Sequence, residues 1–178
     1  MKIKNFNYKC VNSTNDIAIN LIKQKNIKAG FVLAEKQKKG RGQRGKKWIY
    51  YKGNLFVSIF FSLEKINLSL KQLTKTNAKL IIKLISRYYK EKIKLKLPND
   101  ILINKKKICG ILQETIQKNG INYLIVGIGL NLVKSPNIQG YSTTNLYELT
   151  KTKINANKVS KQLMLIYKNF LKSKKVFK

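Results

Sequence analysis

Residues 93–128 read IKLKLPNDILINKKKICGILQETIQKNGINYLIVGI, and the alternation of apolar runs with turn residues in this stretch decides the fold. The aliphatic runs predict four short strands, at residues 93–97, 101–103, 107–115 and 123–128. Asn104-Lys105 and Asn119-Gly120 separate neighbouring runs, as in two-residue hairpin turns. Strands joined by hairpins run antiparallel, so this stretch predicts an antiparallel sheet.

The remaining elements extend this pattern in both directions. Three further strands are predicted, at residues 6–10, 29–34 and 55–61, the last reading LFVSIFF. Three helices are predicted, one opening at residues 13–15, one at 69–89 and one at 158–170. The chain of 178 residues suits one domain. We therefore predict an α+β fold over residues 1–178, a mixed and largely antiparallel sheet with helices packed on one face.

The net charge of +31 comes almost entirely from lysine, since arginine occurs only at Arg41, Arg44 and Arg87. The lysines are spread along the chain rather than gathered in one block, which indicates an AT-rich coding bias more than a nucleic-acid surface. We expect no specific nucleic-acid partner. No signal peptide is recognisable, and no apolar run approaches the ~18 residues that a membrane span needs. We therefore expect a cytoplasmic protein without membrane contact.

The scarcity of nucleophilic and metal-binding residues narrows the chemistry. The chain has no histidine and two cysteines, Cys10 and Cys109. This composition excludes histidine-based zinc sites and Ser/His or Cys/His nucleophile systems. Both cysteines are expected to be small buried apolar residues.

A glycine-rich basic segment, GRGQRGKKW at residues 40–48, contains two of the three arginines. Its three glycines allow tight turns and a close approach to a ligand. A forked guanidinium binds phosphate or carboxylate more specifically than lysine does. The alternative is a solvated basic turn. The segment matches neither a P-loop nor a Rossmann fingerprint.

Two further segments combine polar residues with strand patterns. In KLPNDILINKKKICGILQE, residues 96–114, Asp100 could hold Mg²⁺ or a sugar hydroxyl, and Lys107 would point an ammonium into a partly buried pocket. Gly110 would let a ligand lie on the strand backbone. The alternatives are a turn aspartate and a strand-end lysine. The third segment, VGIGLN, leads through glycines to Asn131.

Taken together, the segments STN, GRGQRGKKW, NLFVSIFF, KLPND, KKICGILQE and GIGLN resemble the biotin–protein ligases, from residue 12 to about residue 149. The resemblance implies the biotinyl/lipoyl protein ligase catalytic-domain fold, related to class II synthetases. It also implies a catalytic domain alone, without an N-terminal DNA-binding domain or a C-terminal β-barrel domain.

The resemblance implies a two-step reaction. The biotin carboxylate attacks the α-phosphorus of ATP, with Mg²⁺, to give biotinyl-5'-AMP and pyrophosphate. A lysine of the biotin carboxyl carrier protein, a subunit of acetyl-CoA carboxylase, then attacks the mixed anhydride, which forms an amide bond and releases AMP. Such an enzyme needs no nucleophile of its own, and catalysis rests on positioning and charge neutralisation. The resemblance leaves a homodimer open.

The resemblance also assigns roles to individual residues. Biotin would be bound by Ser13, Thr14, Asn15, Gln37, Arg41, Gly42, Gln43, Lys107 and Gly110. The adenylate would be bound by Arg41, Arg44, Lys46, Trp48 and Asn131. Catalysis would rest on Lys107, Arg41 and Asp100, with Asp100 at the metal–nucleotide end.

Three positions depart from the family pattern. Gln43 and Lys46 stand where arginine is usual, and Leu97 replaces a common tryptophan. These departures bear on how firmly the adenylate is held. The alternatives are lipoate or octanoyl transfer by a related fold, a basic nucleic-acid-binding module, and a ligase that folds but does not turn over.

Overall fold

A seven-stranded mixed sheet, in the strand order β1-β2-β3-β7-β6-β5-β4, forms the centre of the protein. The structure is a computed structural model that describes residues 2–173. The strands are β1 (Lys4–Val11), β2 (Ala29–Gln37), β3 (Leu55–Ser62), β4 (Ile93–Lys96), β5 (Asp100–Ile103), β6 (Lys106–Lys118) and β7 (Ile121–Leu130). The helices are α1 (Thr14–Lys25), a 3₁₀ helix (Gln43–Gly45), α2 (Leu70–Ile85), α3 (Leu146–Thr150) and α4 (Ala156–Ser173).

Strand pairing follows the predicted pattern. β1 and β2 are parallel and are connected through α1, whereas every other neighbouring pair is antiparallel. Both predicted hairpin turns are confirmed. Their residues Asn104, Lys105, Asn119 and Gly120 have φ of 48°, 63°, 50° and 74°. Two successive positive φ values are what a tight turn between right-twisted strands requires.

The helices lie on both faces of the sheet. Apolar residues of α2 and α4 pack with Val57, Ile59 and Phe61 of β3 in the larger core. Residues Ala18, Leu21 and Ile22 of α1 pack with Phe60 in a second cluster. The α+β class with a mainly antiparallel sheet is confirmed, but the expectation that the helices pack on one face is wrong for α1, which packs in the second cluster.

Burial on both sides of β3 explains this difference. All eight residues of β3 are buried, because successive side chains point to opposite faces and each face is covered by a helix. A strand buried on both faces reads as a continuous apolar run, as LFVSIFF does. The short α3 was not predicted; it begins after Asn145, whose side chain accepts a hydrogen bond from the backbone N–H of Glu148 (2.8 Å).

The cysteines differ in their surroundings. Cys109 is buried, and burial raises the pKa of its thiol well above the usual range. Cys10 is exposed on β1, so the expectation of burial was wrong for this residue. β1 is an edge strand, and an edge position leaves part of its residues open to solvent. No helix within residues 2–173 is long and apolar enough to cross a membrane.

Candidate active site

A strip of bare backbone crosses β6 and β7 where three glycines lie side by side. Gly110 of β6 pairs with Gly129 of β7, and Gly127 precedes Gly129 by two residues on the same strand. A Cβ at Gly129 would overlap Cε2 of Trp48, and a Cβ at Gly127 would overlap Oδ1 of Asn15. These glycines are therefore required because two side chains of the site lie directly on the sheet backbone.

The start of α1 carries the first group of site residues. Ser13, Thr14 and Asn15 are all buried. The backbone N–H and the hydroxyl of Thr14 both donate to Oε1 of Gln37, at 2.8 and 3.1 Å. The structure thus brings together four of the residues that the resemblance assigns to biotin.

Ser58 lies beneath this group and was not predicted as a site residue. Its hydroxyl is fully buried, lies 2.7 Å from Oγ1 of Thr14 and contacts Oδ1 of Asn15. The only signal in the sequence is a serine in the middle of the apolar strand LFVSIFF. A buried hydroxyl needs hydrogen-bond partners, and here they are the site residues themselves.

Arg41 reaches this group from the glycine-rich loop. It donates two parallel hydrogen bonds to Glu114, and its Nη2 also donates to Asp16 at 2.8 Å. Oε2 of Glu114 accepts a further hydrogen bond of 2.6 Å from Nδ2 of Asn15. Glu114 therefore holds a cation and an amide of the site at once, a role that the sequence did not assign to it.

The glycine-rich loop is itself a small hairpin. The N–H of Gly42 donates to the carbonyl of Lys46 (2.6 Å), and the N–H of Trp48 donates to the carbonyl of Gly40 (2.9 Å). Arg44 adopts a left-handed conformation, with φ of 53°. The side chains of Arg44 and Lys46 are exposed.

Gln43 lies apart from Asn15 and Gln37. It lines a cavity of about 270 Å³, together with Pro98, Asn99 and Gln113. Leu70 and Thr74 of α2 also line this cavity, so Gln43 faces the side of the sheet that α2 covers.

Lys107 and Asp100 form the charged centre of the site. Nζ of Lys107 lies 2.7 Å from Oδ1 of Asp100, and the two side chains are only 19% and 14% exposed. The ammonium also lies 5.3 Å from the centroid of the Trp48 ring, within cation–π range. It would be 3.3 Å from a Cβ at Gly110. The cation is therefore held over the bare strip of β6.

Asn131, directly after β7, connects two other segments of the chain through its side-chain amide. It is buried, its Nδ2 donates to the carbonyl of Thr144 (3.1 Å), and its Oδ1 accepts from Asn54 (3.4 Å). Trp48 was also predicted to bind the adenylate. Its Nε1 is buried and has no hydrogen-bond partner among the described residues. An unpaired buried N–H is costly, so Trp48 offers a donor to a ligand.

Residues 2–173 contain no group of three or more histidine, cysteine, aspartate or glutamate side chains placed to hold a metal ion. The two oxygens of Asp100 contact Lys107 and Tyr141.

A family model covers most of the chain and the whole of this site except Tyr141. Residues 8–131 match the biotin/lipoate A/B protein ligase family. The chain belongs to this family. The resemblance seen in the sequence is therefore confirmed at the level of the family.

Two curated members of the family show the extent of the similarity. The bifunctional ligase/repressor BirA of Escherichia coli is 30% identical over 125 residues, which cover 68% of this chain and 38% of BirA. The biotin–[acetyl-CoA-carboxylase] ligase of Paracoccus denitrificans is 32% identical over 111 residues, or 61% of this chain and 46% of that enzyme. The chain thus matches less than half the length of either family member.

A solved family structure extends the similarity to nearly the whole chain. The biotin protein ligase of Aquifex aeolicus, in complex with biotin and ATP, superposes with a TM-score of 0.80 at 28% identity. The match covers 97% of this chain and 72% of that structure.

Proposed function

We propose that this chain activates biotin with ATP to biotinyl-5'-AMP and transfers the biotinyl group to a lysine of a carrier protein. The observation that carries the proposal is the placement of two different compartments on one glycine strip. One compartment is a cluster of hydroxyl and amide groups, buried at residues 13–15 and Ser58 and half-buried at Gln37. The other is the cation of Lys107 beside Trp48.

The polar compartment matches the head of biotin. The ureido ring of biotin presents one carbonyl and two N–H groups, which need donors and acceptors at fixed positions. Thr14, Asn15 and Gln37 supply such groups, already ordered by Ser58 and Glu114. A site that hydrogen-bonds a polar ring rejects an analogue without those groups, because its own buried polar atoms would be left unpaired.

The same argument ranks lipoate below biotin. The family includes lipoate ligases as well as biotin ligases, so family membership alone leaves the acyl substrate open. The dithiolane ring of lipoate has no strong hydrogen-bonding group. It would remove water from the remaining donor and acceptor positions of Asn15 and Gln37 without hydrogen-bonding to them, at a cost of about 1–3 kcal/mol for each group that becomes buried.

The charged compartment suits the chemistry of activation. A carboxylate and a triphosphate repel each other, and a fixed cation between them lowers the barrier to their reaction. The position of the Lys107 ammonium beside Asp100 supports this role, and Arg41 lies close to the polar compartment. Trp48 would offer a ring face and its Nε1 donor to the adenylate, and Gly42, Arg44 and Lys46 would close over the phosphates from the loop.

The metal and nucleotide roles rest on fewer contacts. Mg²⁺ would bind together with ATP and would neutralise phosphate charge. Asp100 would be the carboxylate that contacts it. Because Asp100 is paired with Lys107, binding the metal requires an exchange of partners. Asn131 would act on the adenylate mainly by holding the chain beside it, since its own amide is engaged.

The acceptor follows from the reaction and from the relatives. The ligase of Paracoccus denitrificans is named for acetyl-CoA carboxylase, so we take the biotin carboxyl carrier protein of that enzyme as the partner of this chain. Residues 1–178 would act as a catalytic domain without sequence-specific nucleic-acid binding.

Biotin-dependent exchange of pyrophosphate into ATP tests the first step. Purified protein should catalyse exchange with biotin and MgATP, and more weakly or not at all with lipoate or octanoate. Added carrier domain should then acquire one biotinylated lysine, detected by mass spectrometry. A protein that binds biotin without exchange would be a ligase that no longer turns over. A protein that exchanges with lipoate in preference to biotin would overturn the choice of substrate.

A further inference from the structure

The segment from Tyr141 to Thr144 is hydrogen-bonded to both the backbone N–H and the backbone carbonyl of Lys107. The N–H of Lys107 donates to the carbonyl of Ser142, and the N–H of Thr144 donates to the carbonyl of Lys107, both at 2.9 Å. Thr143 forms an isolated parallel bridge with Lys107. A loop that was given no role in the sequence is therefore tied to the backbone of the central cation.

The side chains repeat this connection. The hydroxyl of Tyr141 donates a hydrogen bond to Oδ2 of Asp100, while Oδ1 of the same carboxylate pairs with Lys107 at 2.7 Å. Asp100 is thus engaged at both oxygens and is only 14% exposed. The hydrogen bond from Tyr141 therefore orients the carboxylate, and the oriented carboxylate fixes the position of the Lys107 ammonium.

The Tyr141 ring also faces cations. Its centroid lies 5.5 Å from Nζ of Lys107 and 5.5 Å from Nζ of Lys96. Burial, with a contribution from Asp100, raises the pKa of Tyr141 well above its usual range. The phenol therefore stays protonated at physiological pH and remains a permanent donor to the carboxylate.

We infer that Tyr141 is a positioning residue for the adenylation step: it holds Asp100 so that Asp100 aims the Lys107 ammonium over Gly110. The inference rests on the proposed function, in which Lys107 neutralises the reacting anions. A lysine side chain has several rotatable bonds and loses much conformational freedom when it is fixed. A carboxylate that is itself held by a hydrogen bond fixes it more tightly than a free one does.

This chain of contacts predicts a specific kinetic pattern. Tyr141→Phe keeps the ring and its contacts with Lys107 and Lys96 but removes the hydroxyl. We expect the maximal rate of biotin-dependent ATP–pyrophosphate exchange to fall about tenfold, the scale of losing one hydrogen bond to a charged group. The Kd of biotin, from isothermal titration, should stay close to that of the wild type. The variant should fold, with a melting temperature lower by several degrees because the same hydrogen bond contributes to stability.

A double-mutant cycle separates positioning from a general structural role. If Tyr141 acts through Asp100, Tyr141→Phe should have no further effect on the exchange rate in an Asp100→Ala background. Tyr147→Phe is a matched control, because Tyr147 is a 40% exposed tyrosine in α3 outside this network. It should leave the rate unchanged.

Several outcomes would overturn the inference. It is wrong if Tyr141→Phe keeps the wild-type rate, if it slows the Asp100→Ala protein as much as the wild type, or if it weakens biotin binding as much as it slows exchange. Each of these leaves the proposed function intact, provided that the wild type exchanges. A wild-type protein without biotin-dependent exchange would overturn the proposed function and this inference together.

Discussion

Arg41 and Glu114 meet through two parallel hydrogen bonds, from Nη1 to Oε1 and from Nη2 to Oε2, each 2.9 Å long. The fork of the guanidinium matches the two oxygens of the carboxylate, which makes this the geometrically most specific ion pair available to arginine. Since Glu114 also accepts from Asn15, the pair links the glycine-rich loop to the start of α1. An anionic ligand that recruits Arg41 must exchange with this partner.

The first prediction concerns Glu114 as the organiser of the polar compartment. Glu114→Gln removes the negative charge and replaces one oxygen by an amide that only donates. Arg41 then faces a donor in either orientation of the amide, and Asn15 does so as well when the amide replaces Oε2. We expect the Kd of biotin, measured by isothermal titration, to rise about tenfold or more, since a hydrogen bond to a charged group contributes about 1.5–3 kcal/mol.

Asp16→Asn is the matched control for this change. Asp16 contacts the same guanidinium at 2.8 Å, but both side chains of that pair are 40% exposed or more. Exposed ion pairs contribute only about 0–1 kcal/mol, so biotin affinity should change by about twofold at most. Equal losses in the two variants would show that Glu114 does not organise Asn15.

The second prediction concerns Lys107. Lys107→Ala should slow formation of biotinyl-5'-AMP by roughly 10²-fold or more, the scale of losing one group that stabilises developing charge. The Kd of biotin should change less, because the cation acts mainly in the transition state. Single-turnover kinetics give the rate, and titration gives the affinity.

Lys106→Ala provides the comparison for Lys107. The neighbouring Lys106 lies 3.8 Å from Glu148 in an exposed pair, and its removal should leave adenylate formation unchanged. A Lys107→Ala protein with normal rates would mean that Lys107 is only a strand-end lysine.

The third prediction concerns the glycine strip and uses Trp48, the only tryptophan of the chain, as its own reporter. A methyl group at Gly129 would overlap the indole, so Gly129→Ala should displace Trp48 and shift its fluorescence to longer wavelength. Overpacking of this kind costs about 1–3 kcal/mol, which a thermal unfolding experiment detects.

Gly127→Ala separates the two ends of the strip. Its methyl group would meet Asn15 rather than the indole, so Trp48 fluorescence should stay as in the wild type while biotin affinity falls. The same spectral shift in both variants would contradict the placement of Trp48 on Gly129.

The fourth prediction concerns Gln43, the uncharged side chain between Arg41 and Arg44 in the glycine-rich loop. If residue 43 contacts the phosphate, Gln43→Arg should slow release of biotinyl-5'-AMP about fivefold, because a charge-assisted hydrogen bond exceeds a neutral one by ~1 kcal/mol. Stopped-flow release from both proteins decides it. Unchanged release would mean that residue 43 stays in the cavity beside Pro98 and Asn99, where the structure places it.

Local sequence was sufficient for the strands, the three longer helices and the hairpins, but not for the short helix α3. Apolar alternation and turn residues such as Asn104-Lys105 act within a few positions, so the strands of the sheet were predicted close to their observed bounds. The order of motifs also pointed to the family, since GRGQRGKKW and PND followed by KKICGILQE carry recognisable chemistry without a structure.

Only the tertiary structure decided which of these residues meet. Strand register sets Gly110 beside Gly129, and that register depends on side chains from the whole sheet. The partnerships of Arg41 with Glu114 and of Tyr141 with Asp100 join residues far apart in the chain. The position of α1 opposite α2 and α4 arises from the parallel crossover between β1 and β2. The type of a residue indicates from the sequence which chemistry it can perform. Its contact partner is determined only when distant segments fold onto one surface.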